Sequence, residues 1–259
     1  MAYTVRAATA KRVPMEKMRK TALAAGALYL ITFISIPTLA LYHGVLKNPQ
    51  YIAHAGSNTA VLWGALLEVI VALAGIGTAV TLFPVVKRQN ETAALGFVTA
   101  RVLEGAMIFV GVLSLLSIVT LRHNLAGASG TDAASLVTTG HGLVAIYHWT
   151  FLFGQTLMPA VNALCLGYLL YRSRLVPRIL PTLGLIGAPI LIASVAAQLF
   201  GLIGQVSPVS AIAALPIAAW EFSLGIWLVV KGFTPSPIIS SDIAEPVQPR
   251  RGDLAWAAV

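Results

Sequence analysis

Six long apolar stretches run through this chain, near residues 21–42, 59–86, 93–121, 142–170, 179–203 and 210–230. A helix rising 1.5 Å per residue needs about 20 apolar residues to cross a hydrocarbon core. Each stretch meets that length, and no soluble fold of 259 residues can hide six of them. The composition agrees: only 10% of the residues are charged, against about a quarter in soluble domains. The reading is an all-α integral membrane bundle of six transmembrane helices.

The net charge of +8 raises the question of nucleic acid, and the placement of the charges answers it. The N-terminal segment carries Arg6, Lys11, Arg12, Lys17, Arg19 and Lys20. The loop after the first span has Lys47, the next has Lys87 and Arg88, and the third has Arg122. The fourth has Arg172, Arg174 and Arg178, the fifth has none, and the C-terminal segment has Lys231, Arg250 and Arg251. Strongly basic segments thus alternate with poor ones. This is the positive-inside pattern, with both termini cytoplasmic. The basic charge reports membrane orientation and contact with anionic lipid, with no nucleic acid as partner.

The expected organisation is a basic cytoplasmic tail over 1–20, a six-helix domain over 21–231, and a Pro-containing disordered cytoplasmic tail over 232–259. The first stretch is too long for a signal-peptide core and reads as a retained anchor. The longest loops, about 43–58 and 122–140, fall outside, the second reading as flexible. Tyr42, Trp63, Tyr147 and Trp149 fall near outer span ends, and Tyr168, Tyr171 and Trp227 near inner ones, as interfacial belts do. Pro37, Pro159, Pro189 and Pro216 stand inside spans and can kink them.

Charges inside the apolar runs mark the centre. Glu68, Glu104 and Glu221 each lie about ten or eleven residues into their spans, at roughly 15 Å depth. Arg101 is one turn from Glu104 on the same helical face. A charge at the middle of a spanning helix costs about 2.5 kcal/mol or more, so these groups must face protein or water. Arg101 is expected to be neutralised by Glu104 first and Glu68 second. In the fourth span His141, His148, Gln155 and Asn162 recur every seven residues, a period that drifts by only about 20° and predicts one face turned to the bundle axis. The candidate polar cavity is therefore Glu68, Arg101, Glu104, His148, Gln155, Asn162 and Glu221. Glu104 and Glu221 are loosely equivalent in two three-span halves, but their flanks share little and carry no repeat.

The histidines lie toward the outer side without i,i+4 zinc spacing, and Cys165 stands alone, so no metal and no cofactor are expected. No nucleophile elbow, P-loop or dinucleotide fingerprint stands at a usable position.

Several segments carry a resemblance: GALYLITFISIP, ALLEVIVALAGIGTAVTLFPVVKRQN, ALGFVTARVLEG, HWTFLFG and NALCLGYLLYRSRLVPR. Together they resemble the bacterial multi-pass membrane family catalogued as domain of unknown function 4386, over about residues 20–230. The resemblance implies a six-span membrane protein with no established activity. It places Glu68, Arg101, Glu104, Asn162 and Arg178 at family-like positions, whereas His148 departs from the family pattern.

The leading expectation is a bacterial inner-membrane protein with a polar intramembrane centre, serving small-solute or proton-linked transport. Its partners would be the lipid bilayer and that solute or proton. The alternatives are a structural or regulatory protein whose Arg–Glu pair only fixes helix packing, and an intramembrane lipid or isoprenoid enzyme using paired carboxylates as acid and base.

Overall fold

The computed structural model describes residues 12–53, 56–124, 131–236 and 238. Among them every regular element is helical. The elements are α1 (Arg12–Thr32), a 3-10 turn (Phe33–Ser35), α2 (Thr38–Leu41), α3 (His43–Lys47), α4 (Thr59–Val86) and α5 (Glu91–Asn124). They continue with α6 (Thr131–Thr150), a π-helix (Phe151–Leu157), α7 (Met158–Ser173), α8 (Ile179–Leu199) and α9 (Pro208–Val230). Six helical stretches are long and apolar enough to cross a membrane: Glu16–Leu41, Thr59–Val86, Glu91–His123, Asp132–Ser173, Ile179–Leu199 and Pro208–Val230.

The first and fourth spans are composite. In the first, Pro37 has no amide hydrogen to continue the ladder, and the chain passes from the 3-10 turn into the short α2. In the fourth, the π-helix precedes Pro159, the second residue of α7. Pro189 and Pro216 lie within continuous helices, as does Pro84 of α4.

The spans form a closed ring. Neighbours in sequence pack together, and α9 returns to pack on α1, which also packs on α4. Water drives no association between helices in lipid, so close packing of small residues carries more of the load. A Cβ built on Gly26 would sit 2.7 Å from the Gly225 carbonyl oxygen, so α1 and α9 meet backbone to backbone there. A Cβ on Gly184 would lie 2.5 Å from the Trp220 indole, which is fully buried.

The two ends of the ring differ. The end that carries Arg19, Lys87 and Arg174 is closely packed around Leu82, Phe97, Leu166, Trp220 and Leu224. Arg19 there donates to the last carbonyls of α9, at 3.0 Å from Leu228 O and 2.6 Å from Val229 O, where a cation complements the helix dipole. At the opposite end α9 opens with a Ser207–Ser210 capping box.

Several expectations about the loops need revision. Residues 43–47 form α3, anchored by buried Val45. The segment expected to be a flexible loop over 122–140 is largely helix, since α5 runs to Asn124 and α6 begins at Thr131. The fourth span is therefore 42 residues long, roughly twice what a bilayer needs, and its first turns stand mostly exposed. Residues 12–20 belong to α1. Past α9, Thr234 donates its amide to Leu175 O at 2.8 Å and Ser236 bonds Ser173 O at 2.5 Å, so 232–236 lies on the fourth loop. Residues 1–11, His54, most of the third loop and the remaining C-terminal segment lie outside the described residues.

Candidate functional site

The intramembrane polar residues resolve into two centres. The first is built on Arg101, which is 1% exposed. Its Nη1 donates to Glu104 Oε2 at 3.0 Å and its Nη2 to Glu221 Oε1 at 2.5 Å. Helix spacing brings Glu104 to it, since residues three apart share a face. Glu221 arrives from α9. The backbones of α5 and α9 scarcely approach each other, so this bridge is a side-chain strut across the ring. Asn162 of α7 donates to Glu104 Oε2 at 2.7 Å, and the Tyr29 ring of α1 lies 5.2 Å from the guanidinium carbon. Four spans thus converge on one guanidinium. Arg101 Nε and Asn162 Oδ1 are buried with no hydrogen-bond partner among the described residues.

The second centre is Glu68 of α4, also 1% exposed. Tyr42 Oη donates to its Oε2 at 3.4 Å; Tyr147 Oη and Gln155 Nε2 lie 3.5 Å and 3.3 Å from its Oε1. No Lys, Arg or His is within ion-pair distance of it among the described residues. A Cβ on Gly105 would lie 3.6 Å from Ala72 O, so Glu104 is level with about residue 72. Glu68 is then about one turn, roughly 6 Å, further from the Arg19 end.

Above the Arg101 cluster is a cavity of about 340 Å³. Arg101, Glu104 and Glu221 form its floor. Its walls include Phe33, Ile36 and Leu39 from the broken first span, and Ala211, Ala214 and Ala218, which share one face of α9. Gln198, Gln205 and Ser210 line the part nearest the fifth loop, and Gln155 reaches it from the π-helix. The Phe33 and Phe222 rings meet edge to face at 5.2 Å, closing the join between α1 and α9. Beyond that pair the chain turns away at Pro37, and α2 packs on α4 rather than α9. The break in the first span is what leaves room for the cavity.

Three expectations are corrected here. The second carboxylate on Arg101 is Glu221, not Glu68: depth along each span was similar, and only the ring order brings α9 to that face. Glu68, Asn162 and His148 do not line the cavity, whereas Arg101, Glu104, Gln155 and Glu221 do. The seven-residue stripe of the fourth span is not one face. Inside the π-helix the bonds run i to i+5, so an extra residue enters the turn and rotates everything after it relative to what came before. Thr156 marks the change, its hydroxyl donating to Phe151 O five residues back. His141 is exposed. His148 is half-buried, its ring 6.0 Å from that of Tyr147 and its carbonyl accepting from Gln205 at 3.1 Å. Gln155 and Asn162 do turn to other helices, but to different carboxyls.

Tyr29 joins the Arg101 centre with no mark in the sequence, and Tyr42 and Tyr147, expected in the interfacial belt, belong to the Glu68 centre. Both of the latter are buried, and their rings meet edge to face at 5.5 Å. A signal existed. Gly64 lies one turn before Glu68, and a Cβ there would sit 2.5 Å from the Tyr42 ring. A Cβ on Gly111 would lie 3.3 Å from the Tyr147 ring. Gly64 makes a seat for the Tyr42 phenol, and Gly111 leaves room for both Tyr147 and the Thr150 hydroxyl. Among the described residues no three His, Cys, Asp or Glu side chains group so as to hold a metal.

Comparison with curated proteins found no match, and comparison with solved structures found none. The family described as domain of unknown function (DUF4386) matches residues 24–232, from the first span to just past the last. With six helices long and apolar enough to cross a membrane, the chain is a multi-pass membrane protein and belongs to the DUF4386 family.

Proposed function

We propose that this protein binds a small organic cation in the cavity above Arg101 and carries it across the membrane, with both chain termini on the cytoplasmic side. The observation that carries this reading is the cavity floor, where two carboxyls face one guanidinium. The floor holds one carboxyl more than its cation can balance, and a solute with a single positive charge completes it. Phe33 and Phe151 on the walls suit such a solute, since aromatic faces attract organic ammonium groups. The broken first span and the π-helix, both bordering the cavity, are the elements able to move: each has a ladder of backbone bonds already interrupted.

The test uses proteoliposomes and labelled tetramethylammonium, which does not cross lipid unaided. Uptake is expected with the wild type and not with Glu221→Gln. Equal retention in empty and protein-bearing vesicles, repeated with choline, would sink the reading. Orientation is tested separately, in a Cys165→Ser background. Cysteines at Ser57 and Leu202 should label with an impermeant reagent on intact cells, and one at Thr92 should not; all three positions are exposed. In the bacterial inner membrane, the location this reading assigns, the unequal Lys/Arg distribution supports that orientation.

One observation favours a second reading. The Arg101–Glu221 strut joins helices that hardly touch otherwise, as a purely structural tie would. In that case Arg101→Ala combined with Glu104→Gln and Glu221→Gln should fold and keep the protein's full cellular role.

A further inference from the structure

Glu68 has no part in the ion-pair cluster and no contact with the cavity, yet its surroundings are built. It is buried, three donors surround it, and no cation stands within ion-pair distance among the described residues. The donors come from three separate elements: Tyr42 from the junction of α2 and α3, Tyr147 from α6, and Gln155 from the π-helix. The Tyr42 ring depends on Gly64 opposite it, and the Tyr147 ring packs beside Gly111, where a Cβ would also meet the Thr150 hydroxyl at 2.9 Å. Of the elements packed around Glu68, α5 brings its nearest charges, Arg101 and Glu104, about a turn away and already committed to each other and to Glu221. The His148 ring lies 6.0 Å from that of Tyr147, edge to face.

A carboxylate in hydrocarbon with no counter-charge is expensive, and neutral donors at 3.3–3.5 Å offset only part of that. Uptake of one proton removes the charge outright. The two phenols suit both states: each hydroxyl donates to the carboxylate, and either can turn to accept the O–H of the acid. Gln155 joins this group to the cavity. Its Nε2 reaches Glu68 Oε1, while the same side chain borders the space above Arg101. Its backbone lies in the π-helix, a segment of weaker bonding register.

We propose that Glu68 is a proton-binding site, held between Tyr42 and Tyr147, and that Gln155 transmits its protonation state to the cavity. The second half rests on the reading of the cavity as a solute site; the first half does not. In this arrangement the proton goes on and off a carboxylate oxygen, with no bond broken elsewhere. A solute that draws the Gln155 amide toward the cavity weakens one of the three contacts to Glu68.

The experiment is infrared difference spectroscopy of the full chain in lipid nanodiscs, titrated in pH. The wild type should show a protonated-carboxyl carbonyl band that is lost in Glu68→Gln and kept in Glu221→Gln. Tyr147→Phe keeps the ring and removes only the hydroxyl, and it should shift the band to higher frequency by removing one hydrogen bond. It decides the question if Glu68→Gln does not fold. A band indifferent to both Glu68→Gln and Tyr147→Phe overturns the proposal. So does the absence of such a band at every pH, with sodium raising the melting temperature of the wild type and not of Glu68→Gln, since the counter-charge would then be a metal cation. Tetramethylammonium should perturb the Glu68 band in the wild type and not in Gln155→Leu. A Glu68 band that tetramethylammonium leaves untouched in the wild type overturns the transmission step. If tetramethylammonium also fails to enter proteoliposomes, the transport reading falls while the proton site stands.

Discussion

Two buried carboxyl centres lie about one helical turn apart in depth and are held in opposite ways. At Arg101 the partners are charged and close, Glu104 from the same helix at 3.0 Å and Glu221 from a span distant in sequence at 2.5 Å. At Glu68 the partners are neutral, the distances are 3.3–3.5 Å, and glycines hold the ring positions. The first arrangement ties the ring together through one guanidinium and leaves its second carboxyl to the cavity. The second leaves a single charge uncompensated and poised to be lost. Membrane helices can bury ionisable groups in either manner, and the difference separates a cation-bridged cluster from a site that exchanges a proton.

The largest break in this contrast comes from Arg101→Ala. It leaves two buried carboxyls without their cation and should destabilise the fold by about 3–5 kcal/mol, read as loss of folded yield and of melting temperature in nanodiscs. Adding Glu104→Gln and Glu221→Gln should recover part of it. Wild-type stability in Arg101→Ala would mean the cluster ties nothing.

Next comes Gly64→Val, aimed at the other centre. The added methyls would meet the Tyr42 ring and force it off Glu68, at about 1–3 kcal/mol for overpacking. A Tyr42→Ala change in the same background should relieve that strain. If it does not, the glycine serves something other than seating the phenol.

Smaller still is the pair Tyr42→Phe and Tyr147→Phe. Each removes one neutral hydrogen bond and should cost about 1 kcal/mol or less, with thermal unfolding as the measure. Losses as large as that of Arg101→Ala would show that Glu68 carries a fixed charge stabilised by the phenols, and the contrast would disappear.

The smallest effect is expected from Glu68→Gln. The amide keeps the length and an acceptor for the phenols, and it replaces a group that is neutral once protonated. Stability should stay within about 1 kcal/mol of the wild type, measured the same way, while the proton signature is lost. Glu221→Gln, similar in shape, should destabilise more, because it removes a bond to a charged partner, typically about 1.5–3 kcal/mol. Equal effects of the two would erase the distinction.

Much of this molecule was legible from the order of its residues. Hydrocarbon admits few backbone solutions, so apolar length alone counted the six spans. Helical spacing paired Arg101 with Glu104 for the same local reason, and the RVLEG segment that carries the pair falls within the family match. Local rules stopped at the irregularities. Nothing in FLFGQTL announces a π-helix, because a single added residue in a turn is decided by what the helix packs against. That one residue separates His148 from Gln155 and sends Gln155 and Asn162 to different carboxyls. The choice of Glu221 over Glu68 for Arg101 was likewise invisible. Both carboxyls stand at similar distances into their spans, and sequence separation says nothing about which faces meet. Closure of the ring, α9 against α1, turned Glu221 inward toward α5, and the bend at Pro37 carried Tyr42 over to Glu68. Which groups are buried followed from the solvent, but which of them touch followed from packing, because contacts between spans depend on the rotation and order of whole helices.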